Sequence, residues 1–289
     1  MRYIIYTDAT ADLSDEMLRG LPYLEMIPME IEIEGKTCRY GRNEELTCEF
    51  FYSELRSGKF ATTSQTNPEV YTEYFEKALS KGWDILYLCF TSGLSGTINA
   101  ARISIEELKQ KYPDRRIECL DTLCASVGEG FFVVEALERQ EEGFTLNEMI
   151  RWAEEYKHQV CHWFTVDNFE HLKHGGRVSA VAAAIGSALN IKPLLNVSED
   201  GKLAVKDKSR GYKSAVKAQL RKFKESWMPE IGKRVIIGHA DEPYRALTMA
   251  AILHEDYPEA EIDITEIGPV IGSHVGPGMV ALIYWGSNR

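Results

Sequence analysis

The sequence predicts an α/β fold of two domains, the first built on a mostly parallel sheet and the second on a mixed sheet with helices. Three observations carry this. In the first half, short apolar runs alternate with helical patterns, the signature of strands joined by crossover helices. In the second half, Glu199-Asp200-Gly201 is a hairpin signal between two strand-like runs. The length of 289 residues, with 44% hydrophobic and 27% charged residues, suits one large or two medium soluble domains. The change of pattern puts the boundary near residues 158 to 166, giving domains 1–160 and 161–289.

The elements follow in order. Tyr3 to Thr7 reads as a strand, and the continuous apolar run Ile85 to Phe90 as a buried one. Ile98, Ala101, Ile105 and Leu108 fall on one face of a helix over Ile98 to Lys111. Arg116 to Leu120 is another strand, and residues 126 to 142 form a helix stopped by Gly143. Thr145-Leu146-Asn147-Glu148 is a capping box that opens a helix with Met149, Ile150 and Ala153 inward. Asp167 to His174 reads as a short helix ending at Gly175-Gly176. Ser179 to Leu189 is small and apolar, a packed helix. Ile191 to Val197 and Lys202 to Asp207 are the hairpin strands, and Tyr212 to Phe223 is a helix. Arg234 to Ala240 is a strand, Pro243 to Asp256 a helix, and Glu261 to Glu266 and Met279 to Trp285 are strands. The glycine- and proline-rich stretch Ile267 to Gly278 between the last two reads as a tight loop that holds His274 in place.

A net charge of -11 argues against a general affinity for nucleic acid or for an anionic membrane. No run approaches the length of a membrane span, no signal peptide is visible, and the six cysteines are scattered without a Cys-x-x-Cys. A cytoplasmic protein is expected. His158 and His162 stand four apart and His171 and His174 three apart. Without the glutamate of a His-Glu-x-x-His pattern they are expected as surface residues, and no metal is expected. A Walker A sequence and a Gly-x-Gly-x-x-Gly after a strand are both lacking, so nucleotide binding has no support.

Two hydroxyl-bearing loops stand before helices. One is Thr62-Thr63-Ser64-Gln65-Thr66-Asn67-Pro68, with Asn67 as cap and Pro68 at the first helical position. The other, Thr91-Ser92-Gly93-Leu94-Ser95-Gly96-Thr97, follows the buried strand at the carboxyl end, where ligands of open α/β sheets bind. Helix N-termini favour anions, so both loops suit one, although helix capping alone would also account for the hydroxyls. A Ser95–His274–Asp8 triad can be written, and with it a serine esterase or thioesterase. Gly93 to Thr97, however, lacks the glycine two residues after the serine that a nucleophile elbow carries. Lys173 to Arg177 and Lys206 to Gly211 are small basic islands in an acidic chain.

Thr7-Asp8-Ala9-Thr10, Thr63-Ser64-Gln65, Ser92-Gly93-Leu94-Ser95-Gly96-Thr97 and Leu120-Asp121-Thr122 run in order along the first half. Leu172-Lys173-His174-Gly175-Gly176-Arg177, Leu189-Asn190-Ile191-Lys192-Pro193 and Ser273-His274-Val275-Gly276-Pro277-Gly278 continue the series. Together they resemble the DegV family of bacterial proteins nearly end to end. The resemblance implies a long-chain fatty acid of the palmitate, stearate or oleate class, buried between the two domains. It implies a carboxyl held by Thr63, Ser95 and His274, with Ser64 and Ser92 in second rank. It further implies a carrier without catalysis, which presents the acyl chain to a separate fatty acid kinase that docks at Arg177 and Arg210. No cofactor and no nucleic acid are implied, and contact with a membrane would be a transient touching of its surface. Ala9 and Thr91 stand where the family usually has serine, Thr66-Asn67 where Pro-Ser is common, and Tyr40-Gly41-Arg42 lacks a frequent aspartate. None of these changes removes Thr63, Ser95 or His274.

Overall fold

The computed structural model describes residues 2–42, 44–177, 191–287 and 289. The expected helix over Ser179 to Leu189, and the Leu189-Asn190 part of the family motif, lie outside them.

The first sheet is parallel throughout, in the order β2 (Leu24–Ile27), β1 (Tyr3–Asp8), β6 (Asp84–Cys89), β7 (Ile117–Asp121). Every residue of β6 is buried, because helices cover both faces of a parallel sheet. On one face lie α2 (Pro68–Leu79) and α3 (Thr97–Lys111). Ile98, Ala101, Ile105 and Leu108 point inward from α3, as their spacing requires. On the other face lies α4 (Val127–Glu141), buried without a break from Val127 to Leu137. A helix apolar all round belongs between two layers. Accordingly α4 packs on strands of the second sheet as well. The Thr145 capping box forms and opens α5 (Leu146–Tyr156), with Met149 and Ala153 buried.

The second sheet begins at β8 (Val160–Thr165). Its order is β10 (Leu203–Arg210), β9 (Ile191–Val197), β8, β13 (Val280–Trp285), β11 (Arg234–His239), β12 (Glu261–Glu266). Only β11 and β12 run parallel, so the sheet is mixed. Its outer face carries α7 (Tyr212–Ser226) and α8 (Pro243–Asp256), and its inner face joins the central core around α4. The tip of the β9–β10 hairpin reaches the first domain, where the Thr91 hydroxyl donates to the Gly201 carbonyl at 2.9 Å.

Three expectations are corrected. The stretch after β12 is a loop only at its ends. Pro269–Val275 form the helix α9, started by Pro269 and stopped by Gly276 at φ +69°. Gly272 within α9 is required by packing, since a Cβ there would lie 2.7 Å from the Phe51 ring and 2.8 Å from the Tyr52 hydroxyl. His162 is buried on β8, and His171 is buried on α6 (Glu170–His174), while His158 and His174 are exposed. Residues 158 and 162 sit on a 3-10 turn and a strand, where a four-residue spacing does not define a common face. Asn67 stands at the cap position of α2, but its side chain makes no capping bond.

A third, antiparallel sheet has the order β4 (Lys36–Tyr40), β3 (Met29–Ile33), β5 (Ala61–Thr63). With α1 (Cys48–Arg56) it forms the bed on which α9 lies. The Tyr52 hydroxyl donates to the Ile267 carbonyl at 2.6 Å and ties this bed to the start of α9.

Candidate functional site

Thr63 is the last residue of β5, Ser95 lies in the turn before α3, and His274 lies near the end of α9. All three line one cavity between the two halves. Its walls are apolar. Phe90 comes from the first domain, and Phe164, Val197, Ile271, Met279 and Ile283 from the second. The cavity thus lies between the loops that follow the strands of the first sheet, the second sheet and α9.

The polar end has a definite hydrogen-bond order. His274 Nε2 lies 2.9 Å from Thr63 Oγ1. His274 Nδ1 is buried against the Gly175 backbone and has no partner among the described residues. A Cβ at residue 175 would come within 2.1 Å of that nitrogen, so only glycine fits. Burial, and then the positive charge of Arg177, push the His274 pKa down to about 4, and the ring is neutral near pH 7. With Nδ1 unpartnered, we assign the ring proton to Nε2, where it has an acceptor. Nε2–H then donates to Thr63 Oγ1, and the Thr63 proton is left for a third group. Ser95 Oγ lies 2.7 Å from Thr97 Oγ1 and accepts the Thr97 backbone N–H at 3.2 Å.

The other expected residues divide. Ser64 and Ser92 are exposed and do not line the cavity. The Ser64 N–H extends the β3–β5 ladder to the Glu30 carbonyl, and the Ser92 N–H donates to Asp121 Oδ1. Arg177, expected on a partner-facing surface, stands half-buried at the cavity. Its Nε donates to the Leu94 carbonyl at 3.3 Å and its Nη1 to the Gly175 carbonyl at 2.6 Å. Arg210 is exposed at the end of β10. The triad does not form. His274 pairs with Thr63 and Ser95 with Thr97, while Asp8 accepts from Thr10 and from the Tyr87 hydroxyl.

Sequence reasoning missed a second polar cluster. Asp8, Asp12 and Glu129 are buried beside Thr10 and Ser126, which line the cavity. Thr10 Oγ1 is within hydrogen-bond reach of both Asp8 Oδ1 and Glu129 Oε2. A hydroxyl has one proton, so one of the two carboxyls must be protonated to make both bonds. Burial raises the pKa of both, in keeping with a shared proton. Asp12 accepts from Ser126 Oγ at 2.6 Å and from the Gly268 N–H at 2.8 Å. It thereby ties β1 to the starts of α4 and α9, and burial pushes its pKa up to about 7. His162, also on the cavity wall, donates from Nδ1 to the Val160 carbonyl and accepts the Ala125 N–H at Nε2. Among the described residues, no group of three or more His, Cys, Asp or Glu could hold a metal ion. Nor is any described helix long and apolar enough to cross a membrane.

Residues 2–286 match the family model described as "Uncharacterised protein, DegV family". The chain belongs to the DegV family. A DegV domain-containing protein of Clostridium perfringens is 39% identical over 295 residues, covering 100% of this chain and 99% of the relative. Among solved structures, a DegV family protein from Thermus thermophilus, described by its fatty acid binding, superposes with a TM-score of 0.86 at 30% identity. That match covers 99% of this chain and 100% of the other. The Streptococcus pneumoniae Fatty Acid Kinase (Fak) B3 protein loaded with linoleic acid gives a TM-score of 0.87 over 99% of this chain and 100% of its own, at 20% identity. At that identity the likeness is one of fold.

Proposed function

We propose that this DegV protein carries one long-chain fatty acid in the interdomain cavity, with the carboxyl held by Thr63, Ser95 and His274. The observation that carries this reading is the His274–Thr63 pair, with Ser95 on the same mostly apolar cavity. A carboxylate only accepts hydrogen bonds, and the order His274 Nε2–H to Thr63 leaves the Thr63 proton for it. Neutral donors serve a buried carboxylate well, and bonds to an ionised partner are the stronger kind. At about 0.8 kcal/mol per buried methylene, a sixteen-carbon chain gains on the order of 10 kcal/mol, from which losses of chain freedom subtract. The Thermus thermophilus relative, described as binding fatty acid, supports the ligand class. The pairing of Ser95 with Thr97, and of His274 with Thr63, supports carriage over the esterase alternative.

The carrier presents its cargo to a separate fatty acid kinase for acyl phosphate formation, with Arg210 facing the kinase and Arg177 at the carboxyl end of the cavity. The family resemblance supports this step. Mass spectrometry of an organic extract of the purified protein, beside an intact native mass, tests the ligand. One free fatty acid per chain is expected. A protein that is empty and takes up neither oleate nor palmitate would overturn the carrier reading. Arg210→Glu should leave the lipid bound and abolish kinase-dependent acyl phosphate formation, and undiminished phosphorylation would refute the docking role.

A further inference from the structure

We infer that Thr97 is a positioning residue for the carboxyl site, which acts by fixing the direction of the Ser95 hydroxyl proton. This rests on the carrier reading above and adds to it a cavity-lining residue that acts through Ser95.

The argument is a count of protons and lone pairs. Ser95 Oγ has one proton and two lone pairs. The Thr97 backbone N–H, one of the unsatisfied donors at the start of α3, takes one lone pair at 3.2 Å. Thr97 Oγ1 lies 2.7 Å away, so one hydroxyl donates to the other. If Ser95 donates to Thr97, its proton is spent and it offers a carboxylate only repulsive lone pairs. If Thr97 donates to Ser95, both lone pairs are filled and the Ser95 proton is free to reach into the cavity. The Thr97 hydroxyl has no other partner among the described residues, and Thr97 is fully buried. Thr97 also lines the cavity beside Ser95, and among the described residues Ser95 Oγ is the acceptor within reach of its proton. An acceptor-only ligand selects this second arrangement.

The same logic operates across the cavity, where His274 Nε2–H fills a Thr63 lone pair and releases the Thr63 proton. Each of the two hydroxyls is thus backed by a second donor, Thr97 behind Ser95 and His274 behind Thr63. The backing groups come from different elements, α3 and α9, so neither relay is a by-product of the other.

The test uses the full chain stripped of lipid, with palmitate titrated by calorimetry. Thr97→Ala should weaken palmitate binding about tenfold, the size of one hydrogen bond of about 1.4 kcal/mol. Thr97→Ser, which restores the hydroxyl without the methyl, should recover most of it. In a Ser95→Ala background, Thr97→Ala should cause no further loss, because its route to the ligand is already cut. Thermal melting of each variant identifies any loss of fold. Full palmitate affinity in Thr97→Ala beside a weakened Ser95→Ala would overturn the assignment. So would full additivity of the two substitutions, which would mean that Thr97 acts independently of Ser95. A wild-type chain that fails to bind palmitate at all would instead refute the carrier reading, a different and separately visible result.

Discussion

Two polar clusters flank the same cavity, one half-buried and one fully buried, and they are built to opposite ends. At one, Thr63, Ser95 and His274 leave hydroxyl protons over after their mutual bonds are made. At the other, Asp8, Asp12 and Glu129 consume every neighbouring donor: Thr7, Thr10, Tyr87, Ser126 and the Gly268 N–H. Polarity alone does not distinguish a binding site from a structural joint. The surplus of donors does. A cluster with protons to spare is complementary to an anion. A cluster of carboxyls already satisfied repels one and holds the chain together.

Removing the surplus should have the largest effect. The Thr63→Ala/Ser95→Ala double variant should lose on the order of 100-fold in fatty acid affinity, since each bond to a charged acceptor contributes about 1.5–3 kcal/mol. Calorimetry with palmitate would show it, with melting behaviour little changed. Unchanged lipid content in this variant would break the distinction between the clusters.

Attacking the joint should reverse the pattern. Asp12→Ala orphans the buried Gly268 N–H and the Ser126 hydroxyl, and should cost about 2 kcal/mol of stability in urea titration. The joint also carries a pH signature. With its folded pKa raised to about 7, Asp12 binds more protons in the native state than in the unfolded state, where its value is near 3.8. Its contribution is fully present below the unfolded value and is lost as pH rises toward 7, by at most about 1.4 kcal/mol per pH unit. His274, with its folded pKa lowered to about 4, has the opposite sign and adds stability as pH rises from 4 to 6.5. Asp12→Asn should therefore gain relative to wild type between pH 5 and pH 8. A constant difference across that range would show that Asp12 does not titrate there.

The smallest effect belongs to the outer hydroxyls. Ser64→Ala and Ser92→Ala remove exposed groups outside the cavity and should shift lipid affinity and stability by no more than about 0.5 kcal/mol. A tenfold loss of palmitate in either would mean that the polar end extends further than its lining.

How much of this could be read in the sequence depends on the range of the forces involved. Strands β1 and β6, the apolar face of α3 and the Thr145 capping box are local patterns, and the sequence displays them. Helix α9 is not local. Its glycines and prolines read as a loop, and its helical turn is held by packing against Phe51 and Tyr52, more than 200 residues earlier. Residues Met29 to Ile33 alternate buried and exposed, yet β3 depends on pairing with the three-residue β5, too short to stand out. Thr63, Ser95 and His274 stood out in the sequence as loop residues, but only the family resemblance joined them into one site, and the geometry brings them to one cavity. The carboxylate joint brings Glu129 to Asp8 and Asp12 across more than 100 residues, and no spacing rule could have indicated it. Thr97 had a visible signal, a hydroxyl at the first position of a helix behind Ser95, but a capping pattern and a relay look alike in one dimension.

The seat of α9 has one further consequence. This short helix belongs by chain order to the second domain, yet it rests on α1 and the small sheet of the first, and its start is fastened by Asp12 and Tyr52. His274 therefore keeps its distance to Thr63 by riding with the half of the molecule that carries Thr63. The same helix also packs on α6 of the second half, where Gly175 lies against His274, so the clasp for the cargo is pinned to both halves, much as a rivet through two plates.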